Sequence, residues 1–103
     1  MYQRPENLAQ ALEALANGAT PLAGGTDLFP RGEARNVVDV SRLPELRGIW
    51  NDNGAIRIGA ATTWSEIVAM PLPPALTCLQ QAAQDIGALQ IQNSGTIGGN
   101  LCN

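Results

Sequence analysis

The sequence predicts an α/β (α+β) domain: a small, mainly parallel sheet carrying helices, followed by a hairpin that opens a second region. Three observations predict it. A strand-like opening runs into an amphipathic helical stretch, two short apolar runs follow, and Asn53-Gly54 stands before an alternating Ile-Arg-Ile pattern. With 103 residues the chain is one small domain or part of a larger one, and a chain of this size buries roughly two-thirds of its unfolded surface.

Residues 1–4 read as a short edge strand with Tyr2 as the side chain to bury. Pro5 suits the first helical position, and Glu6 favours the positive end of the helix dipole. Leu8, Ala11, Leu12 and Leu15 recur at helical spacing and form one apolar face, which Asn17-Gly18 terminates. Residues 20–23 form a strand that enters the turn Ala23-Gly24-Gly25-Thr26-Asp27-Leu28, where Asp27 caps the turn or a short helix. Pro30-Arg31-Gly32-Glu33 is a surface turn. Residues 36–40 are a β-branched strand, expected beside residues 20–23 in the same sheet.

Residues 46–50 and 55–60 flank Asn51-Asp52-Asn53-Gly54 as a hairpin, with Trp50 as a packing residue. Thr63-Trp64-Ser65-Glu66 is a capping box that opens a helix ending near Met70. After the break at Pro71-Leu72-Pro73-Pro74, a helix runs from Pro74 or Ala75 to Asp85. Its apolar face is Leu76, Leu79, Ala82, Ala83 and Ile86, and Gly87 ends it. Residues 88–95 read as a connector to a terminal glycine-rich loop.

Composition excludes several functions. The 45% hydrophobic and 15% charged fractions describe a globular chain, and the net charge of −3 argues against nucleic acid or an anionic membrane as partner. All six basic residues are arginine, which leaves no Schiff-base or phosphate-loop lysine. Histidine is absent, removing the commonest general base and metal ligand. Cys78 and Cys102 fit no zinc or iron–sulfur spacing and both read as buried, unreactive thiols. No catalytic residue and no metal site is therefore expected. Nothing resembles a signal peptide or membrane span, so the expected compartment is the reducing cytoplasm.

Two glycine pairs remain, in Ala23-Gly24-Gly25-Thr26-Asp27-Leu28 and in Gly95-Thr96-Ile97-Gly98-Gly99-Asn100-Leu101-Cys102-Asn103. Paired glycines reach positive φ and lack the Cβ that keeps a ligand from the amides, so successive N–H groups can converge on an anion. Each alone is a tight turn or a ligand site, and neither matches G-x-G-x-x-G or G-x-x-x-x-G-K-[ST]. Together they suit the two phosphates of a dinucleotide, approached from opposite sides.

The whole chain resembles the N-terminal part of the flavin-binding (medium) subunit of the molybdenum hydroxylases, the xanthine dehydrogenase and carbon monoxide dehydrogenase family. The resemblance rests on Y-x-R-P at Tyr2–Pro5, P-L-A-G-G-T-D-L, V-V-D-V-S-R-L, I-R-I-G-A-A-T-T-W-S-E-I and T-I-G-G-N-L-C-N. It implies a PCMH-type fold, with residues 1–50 as a first FAD-binding subdomain and residues 51–103 as the start of a second, truncated at its C-terminus. It implies non-covalent FAD, with Leu22, Ala23, Gly24, Gly25, Thr26, Asp27 and Leu28 wrapping the pyrophosphate. Thr96, Ile97, Gly98, Gly99 and Asn100 would approach from the other side, and Ile86 would lie near the ring or the adenine.

The resemblance further implies an oxidoreductase subunit that passes electrons from iron–sulfur clusters on a partner, through FAD, to NAD or another acceptor. A molybdopterin subunit would oxidise the substrate. Two other readings stand beside it: a fragment or assembly module without flavin, and a related flavin oxidoreductase of the same superfold. Because the second glycine loop ends the chain, directly at Cys102-Asn103, the sequence reads as a truncated chain or proteolytic fragment. That loop is expected to be mobile or held by a neighbouring chain, and the isolated piece to bind FAD weakly or not at all.

Overall fold

A computed structural model describes residues 2–23 and 36–102. The first glycine pair, Asp27 and the turn at Arg31 lie outside these residues. Strands β1 (Tyr2–Gln3), β2 (Thr20–Leu22) and β3 (Val37–Asp39) form a parallel sheet in the order β1-β3-β2. Thr20 and Tyr2 both stand opposite Val37, on either side of it. Residues 20–22 and 37–39 are thus neighbours in one sheet, as the sequence predicts. The central strand is buried at all three positions.

Helix α1 (Leu8–Ala16) follows β1 and leads to β2. It starts later than predicted, because Asn7 rather than Pro5 sets its beginning: the Asn7 side chain accepts the Gln10 amide at 2.9 Å. A cap oxygen satisfies one of the amides orphaned at a helix start, and two neighbouring amides find side chains as well, Glu6 N–H donating to Gln10 Oε1 at 2.9 Å and Leu8 N–H to Glu45 Oε2 at 3.2 Å. The buried face is Ala11 and Ala14, with Leu15 half-covered, while Leu12 is 56% exposed. Facing the sheet with alanines lets the helix approach Val38 and Leu43, which complete this first core with Ala19.

Tyr2 is half-exposed, against expectation. Its hydroxyl donates to the Asp39 carboxylate, and a phenol held by a buried acceptor at the sheet edge keeps its ring partly in water. Asp39 also accepts the Ser41 amide at 3.0 Å and the Ser41 hydroxyl at 2.6 Å, with Arg4 Nε 3.8 Å away. Burial pushes the Asp39 carboxyl up, but the Ser41 and Tyr2 hydrogen bonds and the Arg4 charge outweigh it, leaving the group below its usual range. Glu66 is depressed in the same way, with burial opposed by Arg47 and Thr63.

A carboxylate with a depressed folded pKa contributes stability above its unfolded value of about 4, and that contribution is lost as pH falls through the folded value. The melting temperature should therefore drop below about pH 4, and Asp39→Asn should make the drop shallower. Thermal melts from neutral to acid pH check this. An unchanged slope in the variant would remove Asp39 from the account.

Strands β4 (Ile49–Asp52) and β5 (Ala55–Ile58) form the predicted hairpin. Asn53 and Gly54 have φ of 52° and 85°, the pair of left-handed residues that matches strand twist in a two-residue turn. Trp50, opposite Arg57, is 44% exposed rather than packed, because a two-stranded sheet covers only one of its faces. Helix α2 (Trp64–Ala69) opens with the predicted capping box, Thr63 and Glu66 bonding reciprocally.

A 3-10 turn (Pro74–Leu76) leads into α3 (Thr77–Gln84). The α2 C-terminus is closed by the Gln80 amide, which donates to the Ile67 and Met70 carbonyls at 3.1 and 2.6 Å. α3 buries Ala83 alone, with Leu79 and Ile86 half-covered, while Ala82 and Cys78 are exposed. α3 meets α2 along a stripe narrower than its periodicity suggests, and Cys78 falls outside it. Residues read as connector and loop form two further helices, α4 (Leu89–Ser94) and α5 (Ile97–Cys102). Trp64, Ile67 and Ala83 centre a second core, joined by Ile49, Ile58 and Ile97.

Candidate functional site

A cleft of about 530 Å³ runs along β2 to its C-terminal end and past the end of β3 at Val40, with α2, α4 and α5 as its far side. In open parallel sheets this is where ligands bind, since the strand ends release loops into one crevice. β2 delivers Leu22 and Ala23 to the rim, and Val40 continues β3 beside them. The Val40 amide donates to the Leu22 carbonyl at 2.9 Å, so the two strand ends are held together.

Of the residues predicted to bind, Leu22, Ala23, Ile86, Thr96, Gly98, Gly99 and Asn100 line this cleft. Ile97 does not; it packs into the second core. Gly24, Gly25, Thr26, Asp27 and Leu28 lie outside the described residues. Ala23, which leads directly into them, faces α5: a Cβ on Gly99 would stand 3.8 Å from the Ala23 carbonyl oxygen.

The terminal segment is neither a free loop nor an open nest of amides. Ile97 N–H donates to Thr62 O at 3.0 Å, Gly98 N–H to Ala60 O at 2.9 Å, and Asn100 N–H to Thr96 O at 3.0 Å. Gly99 N–H donates to Thr96 Oγ1, also at 3.0 Å. The amides expected to point at an anion thus cap and dock a helix instead. Gly98 is glycine because α5 rests on Ala60, where an added Cβ would come within 2.7 Å of the carbonyl oxygen and 2.8 Å of the Ala60 Cβ. The sequence did carry the signal, a threonine directly before an apolar residue, which is an N-cap.

Thr62 anchors this corner. It is fully buried, and its hydroxyl accepts the Gly48 amide at 3.0 Å and donates to the Gly48 carbonyl at 3.2 Å. Its own carbonyl takes Ile97, so one residue joins the root of the hairpin to α5.

Sequence reasoning missed Trp64, Ile91 and Val40 as cleft residues. An aromatic residue in the first turn of an amphipathic helix reads as core, and Trp64 is both core and cleft wall. Cys102, read as buried, is exposed on the rim. Among the described residues the lining carries no charged side chain, and no group of three His, Cys, Asp or Glu side chains is placed to hold a metal. No helix among the described residues is long and apolar enough to cross a membrane.

The sequence model of a family described as the FAD binding domain in molybdopterin dehydrogenase matches residues 1–103. The xanthine dehydrogenase FAD-binding subunit of Escherichia coli O157:H7 is 40% identical over 111 aligned positions, covering 99% of this chain and 38% of its own. The carbon monoxide dehydrogenase medium chain of Hydrogenophaga pseudoflava is 36% identical, covering 97% of this chain and 38% of its own. The chain thus spans about two-fifths of the length of these curated relatives. Among solved structures, reconstituted CO dehydrogenase from Oligotropha carboxidovorans superposes with a TM-score of 0.86 at 32% identity, over 99% of this chain and 39% of that one. Quinoline 2-oxidoreductase from Pseudomonas putida 86 superposes with a TM-score of 0.81 at 26% identity, over 97% of this chain and 38% of that one.

Proposed function

The chain belongs to the family of FAD-binding domains in molybdopterin dehydrogenases, and from that premise we propose that its cleft is one wall of an FAD site in a molybdenum-hydroxylase flavoprotein. One observation carries the reading: Leu22 and Ala23 face Thr96, Gly98, Gly99 and Asn100 across a single crevice, although more than seventy residues separate the two segments. Gly24 to Leu28 follow Ala23 directly and would extend that wall along the pyrophosphate. Residues 1–50 and 51–103 correspond, in this reading, to a first FAD-binding subdomain and the start of a second; the first apolar cluster lies within residues 1–50, and the second draws on Ile49 as well as on residues 51–103.

FAD supplies the redox chemistry, and the protein binds, orients and shields it. The parent subunit would pass electrons from iron–sulfur clusters through FAD to NAD or another acceptor, beside a molybdopterin subunit that oxidises the substrate, in the cytoplasm. In this chain β2, β3 and α5 position the cofactor, and Trp64, Ile86 and Ile91 exclude water from one end of the cleft.

The expectation that this piece binds FAD weakly or not at all rests on a mobile terminal loop; α5 is instead docked by Thr62 and Ala60, so ordering it is no cost to the ligand and the expected outcome is reversed. Calorimetric titration of FAD should give saturable binding with a Kd of about 10 μM or tighter, roughly −7 kcal/mol. The bound flavin should show its visible absorbance. No saturable binding up to about 100 μM would sink the flavin reading for this chain.

A further inference from the structure

One polar group on the cleft wall has no partner among the described residues. Trp64 is only 5% exposed, yet among the described residues its indole Nε1–H donates to no acceptor. Trp64 lines the cleft together with Gly95, the residue that lies beside its N–H edge.

Gly95 lies along that edge. A Cβ there would come within 2.9 Å of the Ile91 carbonyl oxygen and into ordinary contact with Trp64, 3.4 Å from Cδ1 and 3.8 Å from Nε1, so the N–H edge of the indole runs past a residue that has no side chain. Trp64 itself cannot swing away. Its ring belongs to the second core with Ile67 and Ala83, and its amide is bonded to Gly95 O at 3.2 Å. A buried indole N–H ordinarily finds an acceptor, and this one is preorganised for an acceptor that arrives with a ligand.

The surroundings select the chemistry. Ile86 and Ile91 line the same cleft, and no charged side chain among the described residues is available to balance a phosphate there. Burying an unpaired charge is far costlier than burying a neutral ring whose edge accepts one hydrogen bond. We propose that Trp64 Nε1–H donates a hydrogen bond to an edge acceptor of a planar heteroaromatic ring of the bound dinucleotide, with Ile86 and Ile91 supplying the apolar surface beside it. The assignment rests on the FAD reading above. Adenine nitrogens and flavin carbonyls share this acceptor chemistry, and the test separates them.

The chain has two tryptophans, Trp50 and Trp64, and Trp50 lies exposed on the hairpin. In the Trp50→Phe protein the single indole Hε1 resonance of a proton–nitrogen correlation spectrum belongs to Trp64. FAD should move it, and either ADP or FMN alone should reproduce the movement, identifying which ring carries the acceptor. Trp64→Phe keeps an aromatic wall and removes the donor. Its FAD affinity should fall about 3- to 10-fold, with the melting temperature of the ligand-free variant separating lost packing from the lost bond.

FAD binding that leaves the Trp64 resonance unmoved would overturn the assignment while leaving the flavin reading intact. So would undiminished affinity in a folded Trp64→Phe protein. If that variant does not fold, the Trp50→Phe spectra decide alone. No binding of FAD to the parent protein would remove both readings together.

Discussion

Replacing Gly98 with valine is expected to lower FAD affinity by about 100-fold or more, equivalent to roughly 2.7 kcal/mol. The new Cβ would fall 2.7 Å from the Ala60 carbonyl oxygen and 2.8 Å from the Ala60 Cβ. Neither atom can turn aside, because both are fixed by backbone rather than by a flexible side chain. α5 must lift, and the bonds from Gly98 to Ala60 and from Ile97 to Thr62 go with it. Overpacking of this kind costs roughly 1–3 kcal/mol of folding stability. The larger loss is in binding, since α5 is the far wall of the cleft. Flavin content of purified protein, measured beside circular dichroism, separates the two effects. Full flavin content in a folded Gly98→Val protein would show that α5 is not part of the site.

The second large effect is on stability. Ile67 is completely buried between α2 and α3 and anchors the core that contains Trp64. Ile67→Ala should cost about 2–5 kcal/mol, the transfer term plus the cavity left behind. In a domain of this size that is a fall in melting temperature of about 10 °C or more. Urea unfolding should show the midpoint moving with little change in slope. A loss below about 1 kcal/mol would mean that neighbouring side chains collapse into the space, and that the second core is looser than its burial suggests.

The local elements with chemical punctuation were the most legible. Thr63 and Glu66 form the capping box their spacing requires, and Asn53-Gly54 makes the hairpin turn. The strands at Val37–Asp39 and Thr20–Leu22 pair as their apolar patterns suggest. The rest was decided by tertiary docking, which short-range pattern does not carry. Leu12 and Trp50 read as core because they are apolar, but α1 turns its alanines inward and the hairpin has one uncovered face. Cys78 and Cys102 were misplaced for the same reason: thiols are usually buried, and here each falls on the outer side of its helix.

The candidate site was legible as a set of residues more than as a geometry. Leu22, Ala23, Ile86, Thr96, Gly98, Gly99 and Asn100 share one cleft. What Gly98 and Gly99 do there is different from the sequence reading: their amides bond to Ala60 and Thr96, and close helix packing demands Gly98. The role of Trp64 depends on which edge of the indole faces the cleft, and no sequence pattern fixes that.

The docking of α5 on Ala60 and Thr62 also sets an order of events during folding. A six-residue helix with two glycines is too short and too flexible to persist alone, because nucleation is unfavourable and each glycine costs about 1 kcal/mol relative to alanine. It gains its hydrogen bonds only after the turn between β5 and α2 has closed, and that turn is itself pinned by Gly48. The candidate cleft is therefore expected to be incomplete in partly folded chains and to form late. FAD should then act as a brake on unfolding rather than a template for folding: refolding rates should be indifferent to it, and unfolding rates should fall as its concentration rises. Stopped-flow kinetics with and without FAD would reveal this asymmetry, and faster refolding with FAD would mean that the cleft assembles early.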